Sequence, residues 1–539
     1  MTHTYRADVV VAGAGLAGMA CALDLLDAGR SVVLLERSPA EGLGGLARWA
    51  FGGVFLVDSP EQRRSGIRDS VELALDDWHA YAEFGPDDLW PRRWAEAYVH
   101  RCCADVRGWL RRHGVRFFPA VHWAERGLYG PGNSVPRFHL AWGTGEGMVR
   151  RLASALRAHP KAERLRLAFG HTVEELCTEG GRFVGCAGST ADGERFRAEG
   201  DALVLASGGI AGNLELVREH WYSAWGAPPP DMLNGSHPQA DGRLLLAARE
   251  QGARLTHLDK QWHYAAGIAH YAPRFPGQGL SVVPPKSALW LDPRGERIGP
   301  APLVGNFDTR YCVERVCRLP EQYSWLLFNR RIARRELAVS GAEHNPEVRD
   351  ERWLAFLAKV LFGSTALVDE LVARCEDVVV GRNLEELAGR MNARVGRERV
   401  DPRVLERTVR RYDANVRRGA LSNDDQLRRI AHARRYRGDR LRTCRRAVID
   451  DPRGRPLVAM HLRVVTRKSL GGLQTDLEGR VLGEDGAPLP GLYAVGEAAG
   501  FGGGGIHGLR SLEGTFLGGC VFTGRVTARA LVRGAAADA

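Results

Sequence analysis

Lysine is almost missing from this chain: only five of its 75 basic residues are lysines (161, 260, 286, 359 and 468), and the other 70 are arginines. So strong a bias has the mark of genome composition, and the net charge of +11 is therefore a weak argument for a nucleic-acid partner. Long apolar runs are also missing. None reaches the ~18 residues that a membrane span requires. The ten cysteines are scattered, no CxxC pair occurs, and the neighbours Cys102 and Cys103 cannot readily bridge each other. That pattern excludes a disulfide scaffold and a zinc ribbon, so reduced thiols and no metal site are expected. Internal repeats and low-complexity tracts are lacking too. Residues 1–8 run straight into an apolar strand and leave no room for a signal peptide, so a cytoplasmic location is expected.

What is present is concentrated near the N-terminus. The 539 residues exceed one simple core and predict two domains, and the composition, 44% hydrophobic and 26% charged, is that of a globular chain. Residues 9–36 read VVVAGAGLAGMACALDLLDAGRSVVLLE. An apolar strand passes into Gly13-Ala14-Gly15-Leu16-Ala17-Gly18, then come an amphipathic helix, the helix-ending Gly29, a second apolar strand and Glu36. This is a dinucleotide fingerprint. Gly13 permits the tight turn, Gly15 admits a pyrophosphate to the backbone, Gly18 lets helix and strand pack closely, and Glu36 accepts hydrogen bonds from a ribose diol. The helix N-terminus supplies N–H groups and partial positive charge to the phosphates.

The fingerprint alone does not choose between NAD and FAD. A second glycine-rich loop, Gly44-Gly45-Leu46-Ala47-Arg48-Trp49-Ala50-Phe51-Gly52-Gly53, and the segment GLYAVGEAAG at 491–500 indicate FAD, whose length needs further close backbone approaches. The apolar run 203–205 ends in Ala206-Ser207-Gly208-Gly209 and reads as another strand closing on small residues. Trp142-Gly143-Thr144-Gly145-Glu146-Gly147 resembles a second GxGxG loop, but no acid completes it, so it reads as a helix start rather than a nicotinamide site. The arginine-dense stretch 403–446 follows Asp401-Pro402, a good N-cap and first-turn pair, and its Val404, Leu405, Val409 and Tyr412 recur at helical spacing, as expected of a solvated helix.

These motifs, with ADGRLLLAAREQGA at 240–253, LGGLQTD at 470–476 and GGGGIHGLRSLEGTFLGG at 502–519, resemble the flavoproteins of the fumarate reductase, succinate dehydrogenase and 3-ketosteroid Δ1-dehydrogenase family over nearly the whole chain. The resemblance implies that Gly13, Gly15, Leu16, Ala17 and Gly18 hold the pyrophosphate, and that Glu36, followed by Arg37, holds the adenosine ribose. The backbone at Gly44, Gly45, Gly52 and Gly53, with Leu46, Trp49 and Ala50 in the same loop, should lie along pyrophosphate and flavin. Val173 should meet adenine, Ala206, Ser207 and Gly208 should border the cofactor, and Glu497 should reach the ribityl or phosphate region. The turn carrying Gly514, Thr515 and Phe516 should open the last helix towards the flavin's pyrimidine edge, where a helix N-terminus stabilises the negative charge of the reduced ring. Covalently flavinylated relatives carry a histidine in the loop that here spans 46–53 without one, so FAD is expected to be non-covalent.

The expected fold is α/β. A discontinuous Rossmann-like FAD-binding domain, 1–258 and 440–539, should carry an inserted α+β capping domain, 259–439. The resemblance further implies a hydride transfer between flavin N5 and a C–C bond next to a carbonyl, with a second group moving a proton on the adjacent carbon. Candidate groups are His263 and Tyr264 at the cap entry, Arg310 after Asn306-Phe307-Asp308-Thr309, and Arg467, His507 and Arg510 in the C-terminal motifs. Tyr264, His263 or His507 could serve as base and Arg510 as enolate stabiliser. Departures from the family's motifs bear on the substrate. A histidine of the fumarate reductases is replaced within Arg467-Lys468-Ser469, and Arg510 stands near where ketosteroid dehydrogenases place a tyrosine, which argues against both a dicarboxylate and a steroid. A small carbonyl compound remains as substrate, with O2, a quinone or a protein as electron acceptor. The alternatives are a flavin oxidase using O2 and, from another class, a flavin-containing nucleic-acid-binding or -modifying protein.

Overall fold

The computed structural model describes residues 3–128, 130–299 and 307–537. Asn306 lies outside them. The fingerprint folds as its pattern requires: strand Val9–Ala12, helix Leu16–Asp27 and strand Val32–Glu36, each facing the interior with nearly every side chain. Gly29 closes the helix with φ +81°, a conformation glycine adopts without steric cost. These strands are central in a sheet ordered Arg480–Leu482, Pro488–Ala494, Ala202–Leu205, Val9–Ala12, Val32–Glu36, Leu165–Phe169. Four of its five pairings are parallel and only Arg480–Leu482 with Pro488–Ala494, at one edge, is antiparallel, so consecutive apolar residues are buried on both faces. The last helix, Thr515–Ala537, lies along helix Leu16–Asp27, where Gly524 meets the Ala17 carbonyl, and so ties the C-terminus to the fingerprint. A smaller sheet, His3–Arg6, Arg195–Glu199, Arg182–Thr190 and His171–Glu179, stands beside it.

A second large sheet is built around strand Leu457–Ser469, which pairs with Gln261–Ala269, Ser324–Asn329, Val378–Gly381 and the short Leu233–Asn234. Its apolar face and the helices beside it form their own core. The sheet thus draws strands from both sides of the 259–439 stretch. The arginine-rich segment forms helix Pro402–Arg418, started by Asp401, with Leu405, Val409, Tyr412 and Val416 turned inward and most of its arginines outward. The 142–148 segment starts helix Thr144–Arg157. All ten cysteines are free.

Candidate active site

A cleft crosses the carboxyl ends of the parallel strands. It is lined by Gly13, Gly15, Leu16, Ala17, Glu36, Arg37, Gly44, Gly45, Leu46, Val173, Ala206, Ser207, Gly208 and Glu497, all read from sequence. A Cβ on Gly13 would stand 2.4 Å from the Ala206 carbonyl oxygen, and one on Gly18 2.0 Å from the Gly13 oxygen, so both glycines are demanded by packing. A Cβ on Gly15 or Gly45 would meet nothing within 4 Å. Those two face open space, where backbone can approach a pyrophosphate. The Glu36 carboxylate, in the lining of the cleft, is pinned by the N–H groups of Ala14 and Ser38, each at 2.9 Å. Ser207 Oγ is buried without a hydrogen-bond partner. An orphaned hydroxyl is the kind of group that a bound phosphate or ribose satisfies.

The rest of the loop is placed differently. Gly52 packs on the backbone of Thr144 and Gly145, and Gly53 on the Phe138 ring, so their smallness already has an internal reason. The Trp49 ring meets that of His237 at a tilt, with centres 4.8 Å apart, and the Ala50 carbonyl accepts the Gly145 N–H at 3.0 Å. Sequence reasoning missed part of the cleft: His237, Gln239, Ala240, Asp241 and Arg243 form one wall, and Asp241 pairs with Arg37 at 2.8 Å. The signal lies in the motif ADGRLLLAAREQGA at 240–253, whose first residues line that wall. Glu497 accepts the Ser469 N–H at 2.8 Å, and burial pushes its carboxyl up to about 7.

Beyond Glu497 the polar groups change character. Strand alternation turns Trp262 and Tyr264 to one face and His263 to the other. The Tyr264 hydroxyl donates to Glu513 Oε1 at 2.5 Å and the Trp262 indole donates to the same oxygen at 3.0 Å. Glu513 belongs to the turn that precedes helix Thr515–Ala537. Lys468 lies with its ammonium 4.0 Å from the centre of the Phe516 ring, and burial lowers it to about 8. Arg467, half-buried, donates to the Gly235 carbonyl at 2.6 Å, with its guanidinium 6.0 Å from the Tyr264 ring centre. A second buried carboxylate, Glu125, accepts from the Tyr81 hydroxyl, from Thr309 Oγ1 at 2.5 Å and from the Thr309 N–H at 3.0 Å. Burial, reinforced by the charge of Glu513, raises it to about 8.

The remaining candidates do not share this arrangement. His263 stacks on Trp221 at 5.1 Å with both ring nitrogens unpartnered, and burial depresses it to about 3. Arg310 lies over Tyr222 and Trp225, at 4.3 and 4.7 Å, and donates to the Leu509 carbonyl. His507 is fully buried, shares a 2.8 Å hydrogen bond with Thr515 Oγ1, and is lowered by burial to about 3. Its ring orders the start of the last helix. Arg510 pairs with Glu83 and, at 3.7 Å, with Asp308. Gly514, at φ +99°, lets its carbonyl accept the Phe55 N–H at 2.9 Å. Glu125, Tyr81 and Lys468 do not stand out as candidates in the sequence; a lysine inside an arginine-rich chain is the one signal there. Among the described residues, His270, Glu343 and His344 bring possible metal ligands within 4.8 Å of one another. Arg274 already holds the Glu343 carboxylate at 2.7 Å, and His270 Nδ1 accepts the Ala272 N–H, which leaves the proton on Nε2.

The fingerprint turn, the pinned Glu36 and the orphaned Ser207 all suit a flavin dinucleotide, and residues 8–517 match the family described as FAD binding domain. This chain belongs to that family. Its members' cofactor is its own, and the protein is an FAD-dependent oxidoreductase. It is 43% identical over 552 aligned positions to a KsdD-like steroid dehydrogenase of Mycobacterium tuberculosis, covering 99% of this chain and 96% of that one. Its fold resembles 3-ketosteroid delta1-dehydrogenase from Sterolibacterium denitrificans, TM-score 0.71 at 18% identity, covering 98% of this chain and all of the other. It also resembles the open conformation of a flavocytochrome c3 fumarate reductase, TM-score 0.67 at 19% identity, over 98% of this chain and 78% of that one. No helix among the described residues is long and apolar enough to cross a membrane.

Proposed function

We propose that this family member dehydrogenates a C–C bond next to the ketone of a steroid-like substrate. The single observation that carries this is the Tyr264–Glu513 hydrogen bond of 2.5 Å, which joins the second sheet to the turn opening the last helix. When bound, the flavin supplies the hydride acceptor. Gly13, Gly15 and Gly18 would hold its pyrophosphate, Glu36 its ribose and Ser207 and Glu497 the middle of the molecule, without a covalent link. The capping unit has 259–439 as its body, and strand Leu457–Ser469 carries Lys468 from that sheet to Phe516 at the start of the last helix.

Within this arrangement Tyr264 moves the proton on the carbon next to the carbonyl. Its hydroxyl donates to Glu513, which can accept that proton while the phenol oxygen takes the substrate's. Burial and the neighbouring carboxylates raise the Tyr264 phenol far above its ordinary value, so the anion is a strong base that forms only with such a relay. Lys468, near 8, opposes the negative charge that gathers as the α-proton leaves. The sequence argument against a steroid rested on the tyrosine missing from the final motif; Tyr264, from a distant strand, can fill the same chemical need. The steroid name of the 43%-identical relative supports the reading. Cytoplasmic location and an electron acceptor of small or protein type accompany it as expectations. Anaerobic mixing of the yellow protein with saturated and unsaturated 3-oxo steroids tests it: one of them should bleach the flavin. Failure of the whole series, with the flavin intact, would refute the substrate class.

A further inference from the structure

Helix Trp353–Phe362 wears its apolar face outward. Its sequence, WLAFLAKVLF, holds one charge in ten residues and none of its side chains is buried. Leu354, Leu357, Ala358, Leu361 and Phe362 fall at the i, i+3, i+4, i+7, i+8 spacing that normally seeks a core. Here that stripe meets solvent: Leu354 is 82% exposed, Leu361 59% and Phe362 70%. The inner face is anchored by Phe356, which packs on Phe118 at 4.8 Å and Trp142 at 5.9 Å, so the helix is held in place rather than loosely draped.

Charges of both signs surround the stripe, but those outside ion pairs are arginines. Arg352 caps the N-terminal end, and the Arg334 carbonyl accepts the Ser364 N–H at 2.9 Å beyond the C-terminal end, with Arg335 next to it. All three are exposed; among the described residues Arg334 and Arg335 make no ion pair, and Arg352 only adds its charge to that of Arg349 near Asp350. The acids nearby are already engaged: Glu347 by Lys359, Asp350 by Arg349, Glu351 by Arg151 and Asp369 by Arg330. An apolar stripe between exposed arginines, with Trp353 at its edge, complements a surface that is negative at the headgroups and greasy just below them. We infer that this helix seats the protein on an anionic phospholipid surface, lying in its plane. A second copy fits less well, because a ten-residue helix is about 15 Å long and offers less than the roughly 800 Å² per partner of a stable interface. Two such helices would also bring exposed arginines together.

Flotation of the purified flavoprotein with vesicles tests this inference independently of the substrate reading. Vesicles of phosphatidylcholine and phosphatidylglycerol, in roughly three-to-one proportion, should carry it upward, and neutral phosphatidylcholine vesicles or high salt should do so far less. The variant Leu354→Ser/Leu361→Ser/Phe362→Ser should lose vesicle binding by about tenfold or more while keeping its flavin and its melting temperature, because the exposed side chains support no core. Arg334→Gln/Arg352→Gln should weaken binding to the charged vesicles several-fold and leave the remainder insensitive to salt. Protein that stays below the vesicles at every lipid concentration would overturn the inference. So would a triple serine variant that floats as well as the parent, or sedimentation velocity showing a parent dimer that the variant dissolves without any vesicle binding.

Discussion

The two ends of the proposed site are made of different material. At the fingerprint end the working surface is largely backbone: Gly13, Gly15 and Gly18 act through what they lack, and the carboxylate of Glu36 is locked by two neighbouring N–H groups. At the Tyr264 end the working surface is side chain, with hydroxyl, carboxylate and ammonium groups from separate elements gathered in a dry place. The first kind of site breaks when an atom is added. The second breaks when an atom is taken away, and its fold should survive the loss. Cofactor binding and proton transfer should therefore separate cleanly under mutation.

The sharpest break is Gly18→Val. With only 2.0 Å between a Cβ and the Gly13 carbonyl oxygen, helix and strand must part. Overpacking of this kind costs about 1–3 kcal/mol before the displaced phosphate site is counted, and protein with less than about a tenth of the parental flavin is expected, read from visible absorbance per chain. Next comes Tyr264→Phe, which removes one oxygen. Turnover should fall by about 10²–10⁴-fold, the range of general acid–base catalysis, while flavin content and melting temperature stay at the parental values. Equal bleaching rates for parent and variant would dismiss Tyr264 as the proton-moving group.

Glu36→Ala tests the fingerprint end by subtraction. The lost charged acceptor should weaken FAD by about 1.5–3 kcal/mol, seen as flavin released on dialysis, and the loosened Ala14 and Ser38 N–H groups should lower the melting temperature as well. Full flavin retention would undo the assignment. Glu125→Gln tests the side-chain end through pH. The folded carboxyl keeps its proton up to about 8, against an ordinary value of 4.5, so the folded state holds the extra proton across that window and stability falls as pH rises through it. The glutamine variant should flatten that fall, which melting temperatures measured from acid to mildly alkaline pH will show. The smallest effect is expected from Arg510→Lys. Its guanidinium is a fifth exposed and engaged by Glu83 and Asp308, a setting worth about 0–1 kcal/mol, so turnover should change by less than about tenfold. A loss of a hundredfold would return Arg510 to the substrate.

Much of the cleft was legible because its signals are local. A turn that needs φ +114° at Gly13, and a helix that must approach a strand at Gly18, leave their mark within a few neighbours. Glu36 follows at the fixed offset of one strand–helix–strand unit. By contrast Tyr264 and Glu513 are 249 positions apart, and nothing in either neighbourhood announces the other. His263 looked as good as Tyr264 in sequence; strand alternation sent it against Trp221 instead. His507 occupied a promising motif, yet burial left it a neutral ring bonded to Thr515.

The chain's own order of residues thus determined the parallel sheet, the glycine-rich fingerprint turn and the class of cofactor, because strand period and missing Cβ atoms act over short distances. Tertiary structure alone decided that Tyr264 meets Glu513, that burial lowers Lys468 and that it raises Glu125, because charge and burial are set by whatever the fold brings close. It also decided that the stripe on helix Trp353–Phe362 faces out. The same period would have served a core helix, and only the packing of Phe356 against Phe118 and Trp142 fixes which side the solvent sees.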